Sequence, residues 1–337
     1  MQATPRPVRV AIYGTGRWAN RTHLPNLRKI DGVEIVGLCD AQAESLQATA
    51  QAFGIERTYA DGQQMLDREE IDILYSVVPA FARTDVEARA AAGGVHLFSE
   101  KPQARTMAVA RRIDRAVQEG GVLSTVCFRE RYRPLFQEAR RLLADKEIIH
   151  VRFQSPRGLP GPFIEDKTNW HHDFEKAGGG AFDWGVHAVD YTRFMTGLNL
   201  AQAQAFYHHP PAYNEALSCA FNLRFTSGAT MSMNFTAATP VAPPGEPPFT
   251  IFFAGGYLAL WQYDRLEING EVAYRAEEFD PWFEQDRLFV EAVQSGDDSA
   301  LLNDYHDGLY SLAPVLAGWE SARQGGVCID IDSFMEA

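Results

Sequence analysis

Two short stretches of the sequence carry side chains that can stabilise a developing negative charge or accept a proton. The first is Glu100-Lys101-Pro102, which ends an apolar run, and the second contains Asp183 and His187 just after three glycines. An ammonium group can stabilise an alkoxide, and an imidazole held near carboxylates is a tunable proton acceptor. The two stretches together predict proton chemistry on a substrate hydroxyl.

The histidine stretch is typical of a glycine turn that opens a helix. Asp183 and His187 are four residues apart and His187 and Asp190 are three apart, so one helical face can carry all three. A capped helix with a structurally satisfied histidine fits the same pattern, and both interpretations stay open at this point. The pattern disfavours a metal site, because adjacent histidines such as His171 and His172 rarely point to one centre.

The lysine is placed by the pattern of the first third of the chain. From residue 8 to 128, short β-rich runs alternate with longer amphipathic runs, which is typical of βαβ units and a parallel sheet. Ligands of such sheets lie outside the carboxyl ends of the strands, and the proline after Lys101 stiffens the exit from its strand. Six strands are predicted, at 9–13, 34–39, 57–59, 73–78, 95–98 and 122–127.

Helical patterns separate these strands, for example at 43–53 and 106–118. Glycine tolerates the left-handed conformation that often ends a helix, so Gly54 and Gly120 are predicted to stop these two helices.

The pattern changes after Arg133-Pro134, where longer alternating runs indicate an antiparallel sheet. Five prolines, at 240, 243, 244, 247 and 248, predict a stiff loop rather than a central strand. The predicted elements of this part are a helix at 135–144, strands at 201–207, 219–225 and 230–235, helices at 281–294 and 304–323, and a strand at 327–331.

The start of the chain predicts a dinucleotide-binding turn. Residues 8–19 fit a strand, a turn and a helix start, in which Gly14 permits the turn and Gly16 lets the backbone approach a pyrophosphate. The phosphates would then lie at the helix amino terminus. Asp40 ends the second strand 26 positions after Gly14 (40 minus 14), where its carboxylate can accept hydrogen bonds from ribose hydroxyls. A purely structural turn would need the glycines but not this context.

The same aspartate favours NAD over NADP as the cofactor. Asp40 would repel a 2′-phosphate, and Ala41 and Gln42 supply no guanidinium to hold one. Arg17 leaves NADP open, because it can reach the adenosine side, although a surface ion pair is an alternative. The residues predicted to bind the cofactor are Gly14, Thr15, Gly16, Arg17, Trp18, Asp40, Pro79, Glu100 and Lys101.

These motifs, in this order, resemble the glucose-fructose oxidoreductase / inositol dehydrogenase (Gfo/Idh/MocA) family. The resemblance extends to 128–134, which is similar to the segment opening the family's second domain, and to 253–258, which is similar to a turn in its later sheet. It implies an α/β protein with an NAD(P)-binding Rossmann domain, residues 1–128. It also implies a substrate-binding α/β domain, residues 129–337, whose large, mainly antiparallel open sheet forms a homodimer or homotetramer.

The resemblance also implies a reaction, the oxidation of a sugar or cyclitol hydroxyl or its reverse. Lys101 would hydrogen-bond the reacting oxygen and the nicotinamide side, His187 would accept the proton, and Asp183 would orient substrate and imidazole. Because the family does not use one base throughout, Lys101 and His187 both stay open as the base.

Two departures from the family pattern bear on the substrate. Ala80 and Arg83 stand where the family commonly has asparagine and histidine, so contacts of that loop are not carried over. His171 follows Trp170 where the family often has arginine, which favours a neutral sugar over a phosphate or carboxylate. The residues predicted to bind substrate are Arg129, Trp170, His171, Asp183 and His187; Arg131 and Trp184 are weaker candidates, since ion pairing or core packing fits them as well.

Composition narrows the class of protein. Acidic residues outnumber basic ones by 44 to 31 among 337, and the net charge of −13 disfavours nucleic acid and anionic membranes as partners. The four cysteines are far apart, which predicts buried thiols and a cytoplasmic protein rather than disulfides or a metal site. Neither a signal core nor an apolar stretch of membrane-spanning length is recognisable.

Two other functions stay open beside the dehydrogenase. A nucleotide or sugar sensor would need the pocket but no proton acceptor. An NAD-dependent glycoside-cleaving enzyme would oxidise its substrate only transiently.

Overall fold

The computed structural model describes residues 6–166, 169–239 and 245–337, which fold into two compact units. The first unit runs to Tyr132 and includes Asp280–Leu309, and the second comprises Arg133–Phe279 and Tyr310–Ala337. The sequence division after residue 128 differs in assigning 280–309 to the second part. Phe289 and Val290 from this segment are buried in the core of the first unit, and an amphipathic pattern does not reveal which sheet its helix covers.

The first unit contains a parallel sheet with strand order β3-β2-β1-β4-β5-β6. Alternating strands and helices place apolar side chains on both faces, as the complete burial of Ile12 on one face and of Ala11 and Leu74 on the other shows. The strands are β1 (Val8–Tyr13), β2 (Val33–Cys39), β3 (Thr58–Tyr59), β4 (Ile73–Ser76), β5 (His96–Ser99) and β6 (Ser124–Val126). All six predicted strands are therefore confirmed, with ends that shift by a few residues.

The helices of this unit connect or cover those strands. A π-helical turn (Ala19–His23) leads into α1 (Leu24–Leu27), followed by α2 (Ala43–Phe53), α3 (Gly62–Arg68), α4 (Asp85–Ala92), α5 (Met107–Gly120) and, much later in the chain, α9 (Pro281–Ser295). Short 3₁₀ turns lie at Ala80–Ala82 and Arg129–Tyr132.

The glycine caps were predicted correctly at one helix and wrongly at the other. Gly54 ends α2 in the left-handed conformation, with φ of 61°. At α5 the cap is Gly121, with φ of 60°, and Gly120 is still helical. Gly120 has a packing role instead, because a Cβ there would come within 2.2 Å of the Ala91 carbonyl oxygen.

The second unit is built on a sheet of nine described strands in the order β14-β13-β12-β11-β7-β10-β9-β8-β15. Neighbours are antiparallel except β7 and β10, which run parallel, so the mainly antiparallel prediction is confirmed. The strands are β7 (Ile148–Gly158), β8 (Leu200–His208), β9 (Ser218–Phe225), β10 (Thr230–Ala238), β11 (Phe249–Phe253), β12 (Gly256–Trp261), β13 (Arg265–Ile268), β14 (Glu271–Arg275) and β15 (Ile329–Asp330).

The helices of the second unit are α6 (Pro134–Leu143), α7 (Phe174–Ala177), α8 (Gly179–Thr196), α10 (Tyr305–Arg323, its first turn counted with the first unit) and α11 (Ile331–Glu336). A 3₁₀ turn lies at Trp170–His172. In the predicted proline loop, Pro247 and Pro248 lead into β11, whereas Pro240, Pro243 and Pro244 lie outside the described residues.

All four cysteines are free thiols, of which Cys328 is exposed and the other three are buried. Among the described residues, no helix combines the length and apolarity that crossing a membrane requires.

Candidate active site

The turn after β1 contains two glycines, and the structure gives a different reason for glycine at each position. Gly14 has a φ of +102°, and a Cβ there would lie 2.8 Å from the backbone carbonyl of Val77. Gly16 has ordinary backbone angles, and among the described residues nothing lies within 4 Å of the position its Cβ would take. Gly14 is therefore required by the fold, whereas Gly16 leaves the open space that a phosphate group needs.

Asp40 orders the same turn. Its Oδ2 accepts hydrogen bonds from the backbone N–H of Thr15 at 2.7 Å and from the Thr15 hydroxyl at 3.0 Å, and its Oδ1 accepts one from the Gln42 N–H at 2.8 Å. A carboxylate has about four acceptor positions, so Asp40 can still accept a hydrogen bond from a ribose hydroxyl. Thr15, predicted to bind the cofactor, is 1% exposed and supports Asp40 through these two hydrogen bonds.

Aromatic and cationic side chains stack beside the turn. The exposed ring of Trp18 stacks on Trp282 with 6.3 Å between ring centroids, and the Arg17 guanidinium lies 5.8 Å from the Trp18 ring. The Arg129 guanidinium lies 4.0 Å from the Trp282 ring and 3.3 Å from the Glu130 carboxylate. The substrate role of Arg129 stays a prediction, and the structure shows it buried in the first unit.

Lys101 directly follows the carboxyl end of β5, as predicted, and is half-buried. Its backbone N–H donates to Oε2 of Glu100 at 3.0 Å, and the Lys101–Pro102 peptide bond is cis. Pro79, which follows β4, is half-buried and precedes the Ala80–Ala82 turn. Strands β1, β4 and β5 are neighbours in the parallel sheet, so the glycine turn, Pro79 and Lys101 all lie at its carboxyl edge.

A buried imidazole holds the carboxylate next to Lys101. Nε2 of His23 lies 3.1 Å from Oε1 of Glu100, and Nδ1 lies 2.9 Å from Oδ1 of Asp286. The other oxygen of Asp286 accepts a hydrogen bond from the Asn26 amide at 2.9 Å. Burial alone would lower the pKa of His23, but the two carboxylates raise it to about 10. Burial would likewise raise the pKa of Glu100, whereas His23 and the cations Lys101 and Arg129 lower it to about 2. The imidazole is therefore an imidazolium between two carboxylates.

The same place has the residue types of a metal site. Ligand atoms of His23, Glu100 and Cys127 lie within 4.8 Å of one another, all buried. Both nitrogens of His23 already face carboxylates, and burial together with Glu100 raises the pKa of the Cys127 thiol. A protonated imidazole supplies the positive charge here, so the arrangement does not favour a cation.

In the second unit, His187 is positioned by aromatic packing on α8. The imidazole lies 5.4 Å from the Trp184 ring and 5.5 Å from the Tyr191 ring, measured between centroids, and the residue is 2% exposed. Asp183 is on the same helix and exposed. Gly178, with φ of 71°, starts this helix from the left-handed conformation.

The third residue of the predicted helical face, Asp190, contacts another helix. Asp190 is fully buried, and its Oδ1 accepts a hydrogen bond at 3.1 Å from the Ser311 hydroxyl of α10. Nη1 of Arg193 donates to the same hydroxyl at 2.8 Å. Asp190 therefore joins α8 to α10.

Trp170 and His171 stack on each other with 3.7 Å between their centroids. Burial lowers the pKa of His171 below its ordinary value, and Asp183 opposes this shift. His171 and Asp183 therefore lie close enough to interact. The second unit therefore brings Trp170, His171 and Asp183 together, and His187 lies on the same helix as Asp183.

The sequence interpretation missed His23 and Asp286. Asp286 is 263 residues from His23, so no local pattern links them. The sequence distinguished Arg83 only as a departure from the family pattern, and that departure is the one sequence feature that points to this residue.

The fold and this arrangement define an oxidoreductase with a Rossmann domain that binds NAD. Residues 8–128 match the family model described as the oxidoreductase family with an NAD-binding Rossmann fold (GFO_IDH_MocA), and residues 136–271 match the GFO/IDH/MocA C-terminal domain. The chain belongs to this Gfo/Idh/MocA family, as its motifs predicted.

Several characterised relatives are similar over much of the chain. D-apiose dehydrogenase of Paraburkholderia graminis is 30% identical, covering 94% of this chain and 88% of the relative. scyllo-Inositol 2-dehydrogenase (NAD(+)) of Bacillus subtilis is 25% identical, covering 69% of this chain and 68% of the relative.

Solved structures support the fold. The WlbA dehydrogenase of Bordetella pertussis, solved with NADH and UDP-GlcNAcA, superimposes with a TM-score of 0.80 at 23% identity, covering 96% of this chain and 99% of that one.

Proposed function

We propose that this protein is an NAD-dependent dehydrogenase that interconverts a hydroxyl and a keto carbon of a sugar or cyclitol. The observation that carries the proposal is the placement of Lys101 at the carboxyl end of β5, in the same sheet whose β1 ends at the open glycine turn. A parallel sheet binds its ligand at this edge. The names of the relatives, which are dehydrogenases of apiose and inositol, support the substrate class.

The described residues fit the dinucleotide. Gly16 leaves room for the phosphates, and Asp40 keeps an acceptor position for the ribose while Thr15 fixes its orientation. Asp40 also favours NAD, with NADP still open because of Arg17. When bound, NAD accepts the hydride that leaves the carbinol carbon.

The remaining steps belong to side chains of this chain. Lys101 donates a hydrogen bond to the substrate oxygen and stabilises its negative charge as the proton leaves. His187 accepts that proton while Lys101 stays an ammonium; in the alternative, Lys101 begins as a neutral amine, accepts the proton and is then the cation beside the oxygen. Asp183 orients the substrate and the imidazole. Trp184 packs on His187 and restricts the movement of its ring.

The substrate is proposed to be a neutral sugar or cyclitol. Trp170 and the exposed ring of Trp184 offer flat apolar surfaces for a sugar face, and His171 and Asp183 offer polar groups for its hydroxyls. Arg129 is a weaker contact in this proposal, because its guanidinium already packs on Trp282. We also propose a cytoplasmic homodimer or homotetramer that associates through the large sheet of the second unit.

The test is turnover with purified protein. NAD or NADP is mixed with a panel of aldoses that includes apiose, several inositols and alkyl glucosides, and the nicotinamide absorbance is followed. Reduction of NAD with at least one sugar or cyclitol is the expected result. Cofactor binding without reduction would contradict the proposal and indicate a sensor, and release of an aglycone without net NADH would indicate glycoside cleavage.

A further inference from the structure

A second buried cation lies behind the lysine turn. Arg83 is 3% exposed, and its Nη1 donates to the hydroxyl of Ser76 at 2.8 Å and to that of Ser99 at 2.9 Å. Its Nη2 donates to the backbone carbonyl of Glu100. Ser76 ends β4 and Ser99 ends β5, so one guanidinium joins two strand ends to the residue before Lys101.

The peptide group between Glu100 and Lys101 is thereby held at both of its polar atoms. Its carbonyl oxygen accepts hydrogen bonds from Arg83 and, at 3.2 Å, from the Ser99 hydroxyl. Its N–H donates to the Glu100 carboxylate, which His23 fixes from the other side. Fixing this peptide plane fixes the N–Cα bond of Lys101, from which its side chain extends, and so restricts where the ammonium group can lie.

The counter-ion of Arg83 indicates that stability alone does not explain the cluster. Oε1 of Glu87 lies 3.6 Å from Nη1 of Arg83 and accepts a hydrogen bond from Ser76 at 2.7 Å, with both side chains of the ion pair fully buried. Oε2 of Glu87 has no hydrogen-bond partner among the described residues. Buried ion pairs that are incompletely hydrogen-bonded are usually no more stable than apolar residues of the same volume, so a contribution to stability does not by itself account for a guanidinium here.

We propose that Arg83 is a positioning residue that holds Lys101 in the orientation its reaction requires. The proposal rests on the proposed function, because it names Lys101 as the group that contacts the reacting oxygen. A planar guanidinium can bind the two hydroxyls and the carbonyl at fixed angles, whereas a lysine ammonium at the same place is a point charge on a flexible stem.

The first experiment compares Arg83→Lys with Arg89→Lys, a control in the adjacent helix whose exposed guanidinium pairs with Asp67. Misplacing a catalytic group by a fraction of an ångström is expected to lower kcat of Arg83→Lys by about 10- to 100-fold, with the Kd for NAD nearly unchanged. Arg89→Lys is expected to keep the wild-type kcat. Equal kcat values for Arg83→Lys and wild type would overturn the proposal.

A variant of the counter-ion separates positioning from loss of stability. Glu87→Gln removes the buried charge but keeps an acceptor for the Ser76 hydroxyl. It is expected to lower Tm while kcat stays within about threefold of wild type, since Arg83 still holds the carbonyl. A fall in kcat as large as that of Arg83→Lys would show that the cluster acts through stability, and would overturn the proposal.

The last measurement does not require turnover. Hydrogen exchange of the Lys101 amide, followed by NMR, is expected to be about tenfold faster in Arg83→Lys than in wild type, with the Leu74 amide of β4 unchanged. Unchanged exchange at Lys101 in a folded variant would overturn the proposal. If wild-type protein oxidises no sugar or cyclitol, the proposed function fails, and faster exchange still upholds the hold of Arg83 on this peptide.

Discussion

The two candidate catalytic groups are positioned by different forces. Around Lys101, buried charges do the positioning, with the His23 imidazolium on one side of its peptide group and the Arg83 guanidinium on the other. Around His187, the neighbours on α8 are the rings of Trp184 and Tyr191. Ionic contacts depend on protonation and fix angles, whereas ring packing fixes position with little dependence on pH.

The difference predicts that pH affects the surroundings of Lys101 and that side-chain volume affects the surroundings of His187. A rise of pH towards 10, or a fall towards 2, should loosen the lysine turn, because the pKa values of His23 and Glu100 mark where its ionic contacts are lost. A change of side-chain volume should disturb the histidine first.

The largest effect is expected from removing the ammonium group. Lys101→Ala should lower kcat by about 10³-fold, because the developing alkoxide loses its nearby cation, while the Kd for NAD stays nearly intact. Steady-state kinetics and NAD titration measure the two quantities. Lys146→Ala, which removes a surface lysine beside Asp145, is the control. Parallel loss of NAD binding and turnover would mean that Lys101 is structural.

Removing the His187 imidazole tests the second candidate catalytic group in the same way. His187→Gln should lower kcat by about 10²-fold and abolish the acid limb of the kcat/KM profile, if His187 is the base. Tyr191→Phe keeps the ring beside His187 and should retain that limb. An unchanged acid limb in a folded His187→Gln protein would leave Lys101 as the base.

The ionic contacts of His23 with Glu100 and Asp286 should make the stability of the protein depend on pH. Because the pKa of His23 is raised from 6.5 to about 10 on folding, its contribution is complete below pH 6.5 and is lost as the pH rises towards 10. His23→Gln should therefore lower the free energy of unfolding by about 3 kcal/mol at pH 6, and by progressively less above pH 6.5. Urea unfolding over this pH range checks it, and a pH-independent difference would show that the two carboxylates do not hold a charged imidazole.

The smallest effect is expected at the cofactor turn. Asp40→Ala should weaken NAD about tenfold and relax the discrimination against NADP, because the ribose hydroxyls lose an acceptor. Thr15→Val removes the hydroxyl that binds Asp40 but leaves the carboxylate, so the preference for NAD should persist. Binding of both cofactors is measured for each variant, and an unchanged preference in Asp40→Ala would contradict the ribose assignment.

The sequence predicted most of what depends on neighbouring residues. The strands of the parallel sheet, helix α2 at 43–53 and the left-handed Gly54 follow from local periodicity and glycine chemistry. The assignment of the cap to Gly120 was wrong because its close approach to Ala91 is a tertiary contact. In the same way, the place of 280–309 in the first unit depends on which core accepts Phe289.

In the candidate site, too, the sequence predicted the local placement of residues but not their contacts with distant parts of the chain. The pattern predicted Lys101 after a strand and placed Asp183 and His187 on one helix, which the structure bears out as geometry. It did not predict that His23 contacts Glu100, because the two residues are 77 positions apart in the sequence. It also did not predict that His23 contacts Asp286, which is 263 positions away. It placed Asp190 on the same helical face as the histidine, but it did not predict the hydrogen bond that this carboxylate accepts from Ser311 of α10.

The proposed function assigns Lys101 and His187 to one reaction. A double-mutant cycle on kcat, with Lys101→Ala, His187→Gln and the combined variant at saturating NAD, tests it most directly. Groups that act together in one transition state give strongly non-additive losses, so the double variant should be at most about tenfold slower than Lys101→Ala alone. A loss equal to the product of the two single losses would contradict the claim.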